Sequence, residues 1–137
     1  MARIKYDINI MRYISLFESL TGAKVKDCIV NDSILFIVHK NEMGKAIGKH
    51  GSNIKRFENA LNKKIRVAEF NDSIPQFIQN LIYPIKAKDI KEEDKIITIY
   101  GSDTKTKGML IGRDRHKINL IRDIVKRYFD VEDIKVA

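Results

Sequence analysis

Gly44-Lys45-Ala46-Ile47-Gly48-Lys49-His50-Gly51-Ser52-Asn53-Ile54-Lys55-Arg56 is the stretch from which the rest of the chain can be read. A short helical piece before Gly48 and an amphipathic one after Gly51 predict two helices joined by a tight turn, with glycine at both of its ends. The first N–H groups of a helix have no intrahelical partner and sit at the positive end of its dipole, so a turn that opens a helix offers donors to an anion. Two glycines also remove the Cβ atoms that would hold a sugar-phosphate chain away from the backbone. Lys49 and His50 project from this turn, and Lys45, Lys55 and Arg56 flank it. On the second helix Ile54, Phe57 and Leu61 recur at helical spacing and belong to the core, which puts Lys55, Asn59 and Asn62 elsewhere on its circumference.

The same grammar occurs twice. At an offset of 64 residues Gly48 matches Gly112, Gly44 matches Gly108, Ile47 matches Ile111, Ile54 matches Ile118, Phe57 matches Ile121 and Leu61 matches Val125. Upstream, the apolar run Ile34–Val38 corresponds to Ile96–Tyr100, and downstream Ile65–Val67 corresponds to Ile134–Val136. Ile10, Tyr13, Ile14, Phe17 and Leu20 form a helix stripe that stops at Gly22, and Ile74, Phe77, Ile78, Leu81 and Ile82 form another. The second stripe opens with Ser73 and Gln76 as a capping box and Pro75 in the first turn, and Pro84 closes it. Both stripes lead into Lys-rich stretches, Lys24–Val30 and Ile85–Ile90, that read as exposed strands. Each half is therefore helix, strand, strand, short helix, long helix, strand: an α/β (α+β) chain of two domains, 1–71 and 72–137, dividing near Asn71-Asp72. Units of this size bury only about 60% of their unfolded surface, so the halves are expected to pack rigidly together.

Composition bounds the function. The chain has 137 residues, 44% hydrophobic and 32% charged, which describes a folded protein and not a disordered tail. No apolar run approaches the roughly 20 residues of a membrane helix. The opening Met1–Asp7 meets an acid before any leader-like apolar core, so a cytoplasmic protein without membrane partners is expected. Cys28 is the only cysteine, leaving no disulfide and no zinc cluster. The net charge of +8 points to an anionic partner, and its distribution is more telling. Residues 40–67 carry eight basic side chains against Glu42 and Glu58, and residues 105–127 carry eight against Asp114 and Asp123, so each segment has +6 and the remainder has −4.

Other chemistries fit less well. Gly44-x-x-x-Gly48-Lys49-His50 has one residue too few between its glycines for a nucleotide-binding P-loop and lacks the following Ser or Thr that would hold Mg²⁺. His39, His50 and His116 are too dispersed for a metal site, so neither metal nor cofactor is expected; His39 reads as a strand residue and His50 as a loop contact. Cys28 reads as a small apolar strand residue, and Asp27, Asp32 and Lys91–Lys95 as solvated loop charge with no acid-base pair among them. Most aromatics fall in core stripes and there is no Trp, which argues against base stacking on an open sheet and for an aliphatic groove near Ile47, Ile54 and Ile34–Val38.

Gly-x-x-Gly inside a strand-helix-helix-strand unit resembles the KH domain, and the additional helix and strand before each core resemble its type II arrangement. Two such units in tandem, with the stretch Ser15–Ala23, resemble the archaeal NusA family of transcription factors. The resemblance implies two three-stranded sheets packed on helices. It also implies a non-catalytic, monomeric protein that binds single-stranded nascent RNA in transcription elongation or termination, with RNA polymerase as a further partner. RNA contacts carried over to the first half are Lys45, Ile47, Gly48, Lys49, His50, Gly51, Asn53, Ile54 and Lys55; in the second they are Gly112, Arg113, Arg115 and Lys117. There the pattern is broken, because Gly112-Arg113-Asp114-Arg115 has Arg in place of the second Gly and an acid facing the expected phosphate. The first half is therefore expected to grip RNA and the second to extend the basic track. Two alternatives share the sequence features: a ribosome-associated KH-type assembly protein preferring structured rRNA, and a duplex-DNA regulator using the helix-turn-helix.

Overall fold

The computed structural model describes residues 8–137; the opening Met1–Asp7, whose sequence argued against a leader, lies outside them. Helix α1 (Ile8–Thr21) ends where Gly22 takes φ +74° and donates its N–H to Glu18 O at 2.8 Å, the left-handed cap expected of that glycine. The Glu18 carboxylate in turn accepts from Val25 N–H at 2.9 Å, fixing the start of β1 (Val25–Val30). Strand β2 (Ser33–Val38) pairs antiparallel with β1 and parallel with β3 (Lys64–Glu69), in the order β1-β2-β3. A parallel pair needs a crossover, and α2 (Met43–Ile47) and α3 (Ser52–Leu61) supply it.

Residues of one strand alternate between faces, so Ile34, Phe36 and Val38 join Phe17, Ala46 and Phe57 in one buried cluster beneath the helices. Phe17 stacks on Phe36 with ring centroids 4.1 Å apart and tilts against Phe57 at 4.9 Å. Full burial of each such ring contributes about 2–3 kcal/mol.

The second half repeats the order: α4 (Ile74–Ile82), β4 (Asp89–Glu93), β5 (Ile96–Tyr100), α5 (Thr104–Ile111), α6 (His116–Tyr128) and β6 (Asp133–Val136). Its sheet runs β4-β5-β6, again antiparallel then parallel. Arg122 ties α6 to β6 through Asp133 at 2.8 Å and Ile134 O at 2.8 Å. The described chain divides into two compact units at Asn71–Asp72. Each is a mixed three-stranded sheet packed on helices, the architecture of two type II KH domains.

Several local expectations change. The stretch Lys24–Val30 is not an exposed strand: Asp27, Cys28 and Ile29 are buried. Asp27 is no solvated loop charge but fully buried at an irregularity of the β1–β2 register, its carboxylate accepting from Cys28 N–H at 2.8 Å. In the second half the strand begins four residues later than Ile85, and Lys91–Glu93 belong to β4. Asp94 and Lys95, both at positive φ, make a two-residue type I′ turn from β4 to β5, which sets that register. His39 lies just beyond β2, exposed. Only half of the capping box at α4 forms, since Ser73 Oγ accepts from Gln76 N–H at 3.5 Å while the Gln76 side chain donates to Asn80.

Candidate nucleic-acid interface

Helix α2 stops at Gly48, whose φ of 76° and ψ of 172° turn the chain away while its N–H still reaches Gly44 O at 3.0 Å. Lys49–Gly51 then form a single 3-10 turn closed by Gly51 N–H to Gly48 O at 3.2 Å, and α3 begins at Ser52. His50 and Gly51 are consecutively left-handed, at φ 56° and 72°. The two glycines suit the turn for different reasons. A Cβ on Gly48 would lie 2.8 Å from the Asn53 side chain and 2.9 Å from Ser52 Oγ, whereas one on Gly51 would meet nothing within 4 Å. Gly48 is needed for space and φ, Gly51 is favoured for φ alone, and the space before Gly51 stays open at the first amides of α3.

Around this turn Lys49, His50 and Lys55 are exposed, while Ile47 and Ile54 are half-buried, with Ile54 packed against the core. Asn53 serves the fold directly, since its Nδ2 donates to Lys45 O at 2.9 Å and ties α3 back to the last turn of α2. Lys45 Nζ lies 3.4 Å from Glu42 Oε2, and the other oxygen of Glu42 accepts from Lys24 N–H at 2.8 Å. That backbone bond, helped by the Lys45 charge, holds the Glu42 carboxyl below its ordinary pKa. Glu58, the other acid of this basic segment, accepts from Ile65 N–H at 3.0 Å. Both acids thus bind backbone donors, an anchoring role that sequence reasoning missed; its only visible sign was an acid isolated in a basic run.

The second turn has the same shape despite its different residues. Gly112, Asp114 and Arg115 take φ/ψ of 76/170°, 54/30° and 62/18°, against 76/172°, 56/29° and 72/19° for Gly48, His50 and Gly51. Arg115 N–H closes it on Gly112 O at 3.2 Å, and a Cβ on Gly112 would fall 2.7 Å from Lys117 Cβ. Arg113, Asp114 and Arg115 are exposed and Lys117 is half-buried. Holding Arg in the left-handed region costs about 1–2 kcal/mol, partly offset because glycine would loosen the unfolded chain. Arg115→Gly is therefore expected to raise stability by up to about 1 kcal/mol, read as a higher denaturation midpoint at unchanged m-value.

The aliphatic groove is narrower than expected. Ile34–Val38 are all buried, so of the predicted lining only Ile47 and Ile54 retain appreciable exposed surface. Among the described residues no group of three or more His, Cys, Asp or Glu is placed to hold a metal ion, and no helix is long and apolar enough to cross a membrane.

Comparison with known proteins agrees with this geometry. The KH domain profile matches residues 11–71. A "Probable transcription termination protein NusA" from Halococcus morrhuae is 33% identical over 138 residues, covering 98% of this chain and 99% of that one. Proteins of the same name from Methanococcus vannielii (34% identical, 98% of this chain and 80% of that one) and Thermoplasma acidophilum (29%, 99% and 97%) are similar along nearly the whole length. The crystal structure of APE1850 superposes with a TM-score of 0.73 at 29% identity, covering 96% of this chain and 100% of that one. Tandem KH-type units and alignments that run through both of them lead to one conclusion: this chain belongs to the archaeal NusA family.

Proposed function

We propose that the protein binds single-stranded RNA without catalysis, gripping the sugar-phosphate chain of a nascent transcript at Gly48–Gly51 during elongation or termination. The carrying observation is the open, left-handed turn before α3, where no side chain stands in front of Gly51 and Lys49 and His50 project beside it. A KH-type turn of this kind holds about four nucleotides of a single strand. In the second turn Arg113, Arg115 and Lys117 meet phosphates through side chains, since Asp114 and the Cβ of Arg115 stand where His50 and the open space of Gly51 stand in the first turn. The role in transcription rests on the names of the relatives, and contact with polymerase on the family resemblance alone.

Duplex DNA is a poorer fit, because α2 has only 5 residues to serve as the supporting helix of a helix-turn-helix. Fluorescence anisotropy with a labelled oligouridylate decides between these ligands. Duplex DNA is expected to compete poorly. With about four phosphates neutralised, affinity is expected to fall on the order of 50-fold between about 50 and 200 mM salt. Salt-independent binding, or tighter binding of the duplex, would count against the proposal.

A further inference from the structure

Tyr83 differs from the buried aromatic rings in its exposure. Phe17, Phe36, Phe57 and Phe77 are buried, whereas Tyr83 is 69% exposed, the largest value among the large apolar side chains of the described residues. The segment that carries it, residues 83–88, has no regular secondary structure but is firmly held. Tyr83 N–H donates to Gln79 O at 3.1 Å and Ile85 N–H to Ile82 O at 2.9 Å. The Gln79 side chain then acts as a short stretch of strand, its Nε2 donating to Ile85 O at 2.9 Å and its Oε1 accepting from Ala87 N–H at 3.2 Å. Lys88 N–H reaches Tyr100 O at 2.7 Å and ties the segment to the end of β5.

Ile85 and Ala87 are thereby half-buried, while Tyr83, Lys86 and Lys88 are exposed. The next acid, Asp89, is engaged by Ile90 N–H at 2.8 Å and Lys91 at 3.8 Å. Through the Lys88 bond the segment joins the sheet at the end of β5, after which the chain enters α5 and runs to Gly112.

We infer that Tyr83, Lys86 and Lys88 form a second single-strand contact, in which the ring stacks on a base and the two ammonium groups meet the adjoining phosphates. This rests on the RNA-binding reading. An aromatic face accepts any base and lysines supply the counter-charge, the two components of sequence-tolerant single-strand binding. A backbone already held by five hydrogen bonds loses little freedom when a base settles on the ring. A partner bound by charge alone, such as an acidic peptide, would use the lysines but has no need of the exposed ring.

The chain contains no Trp, so Tyr83→Trp places a single indole reporter at the site. An oligouridylate of about a dozen nucleotides is expected to quench its emission, and an abasic chain of equal length to leave it unchanged. By anisotropy Tyr83→Ala is expected to weaken oligouridylate binding about 10-fold, with Tyr83→Phe within about 2-fold of wild type. Oligouridylate binding with unchanged indole emission, or with Tyr83→Ala equal to wild type, overturns this contact and leaves the RNA reading standing. Quenching by oligoglutamate but not by RNA overturns it in favour of an acidic partner. No oligouridylate binding by the wild-type protein overturns both readings.

Discussion

The double substitution Lys49→Asp with His50→Asp is expected to lower affinity for single-stranded RNA roughly 100-fold while thermal unfolding stays within about 2 °C of wild type. Both side chains are exposed at the turn, so neither change opens a cavity. The protein itself shows that the backbone tolerates the new residue: Asp114 occupies the position matching His50 at φ 54°, against 56° for His50. What changes is the field at the mouth of the turn, where two acids would face the phosphate that the proposed clamp brings to the amides of α3. Anisotropy and circular dichroism melts on the same samples read the two quantities. Undiminished binding would remove the clamp from this turn, and a loss seen only on changing Arg113 and Arg115 would move it to the second.

Phe17→Ala is expected to act by the opposite route, destabilising the first unit by about 3–5 kcal/mol. Phe17 is fully buried, and its removal forfeits both the 4.1 Å stack on Phe36 and the 4.9 Å contact with Phe57. A typical domain is stable by only about 5–15 kcal/mol, so a substantial fraction of that margin goes. The ring bridges α1, β2 and α3, the elements that hold the turn, and RNA affinity should decline through unfolding. Urea titration at fixed RNA separates the variants: the charge reversal weakens binding to a folded protein, the truncation shifts the midpoint. A shift worth less than about 1 kcal/mol would mean that the cluster repacks around the gap.

The twofold architecture was legible because it is written in short-range signals. Glycines at Gly48, Gly51 and Gly112 punctuate the helices, and the apolar residues Ile54, Phe57 and Leu61 recur with the period of a helix. The position of β4 was not legible, because its sequence Asp-Ile-Lys-Glu-Glu carries only one apolar residue. It is a strand because Asp94-Lys95 folds back and offers it the edge of β5, a pairing invisible within the segment itself. Burial of Asp27 escaped detection for a related reason: an acid is enclosed only where its carboxylate finds donors, and those come from the folded strand.

By itself the sequence determined where the chain turns, that its units repeat, and that positive charge gathers at both turns, since steric preference, hydrophobic period and composition are local properties. Tertiary structure decided which of those residues are available. It turned Glu42 and Glu58 onto backbone amides, used Asn53 to tie two helices together and closed β2 to any ligand. It also held Arg115 in a conformation that suits glycine, giving the second turn the shape of the first. Most of these outcomes depend on partners in neighbouring elements, and a residue's freedom to meet a ligand is what remains after those partners have been satisfied.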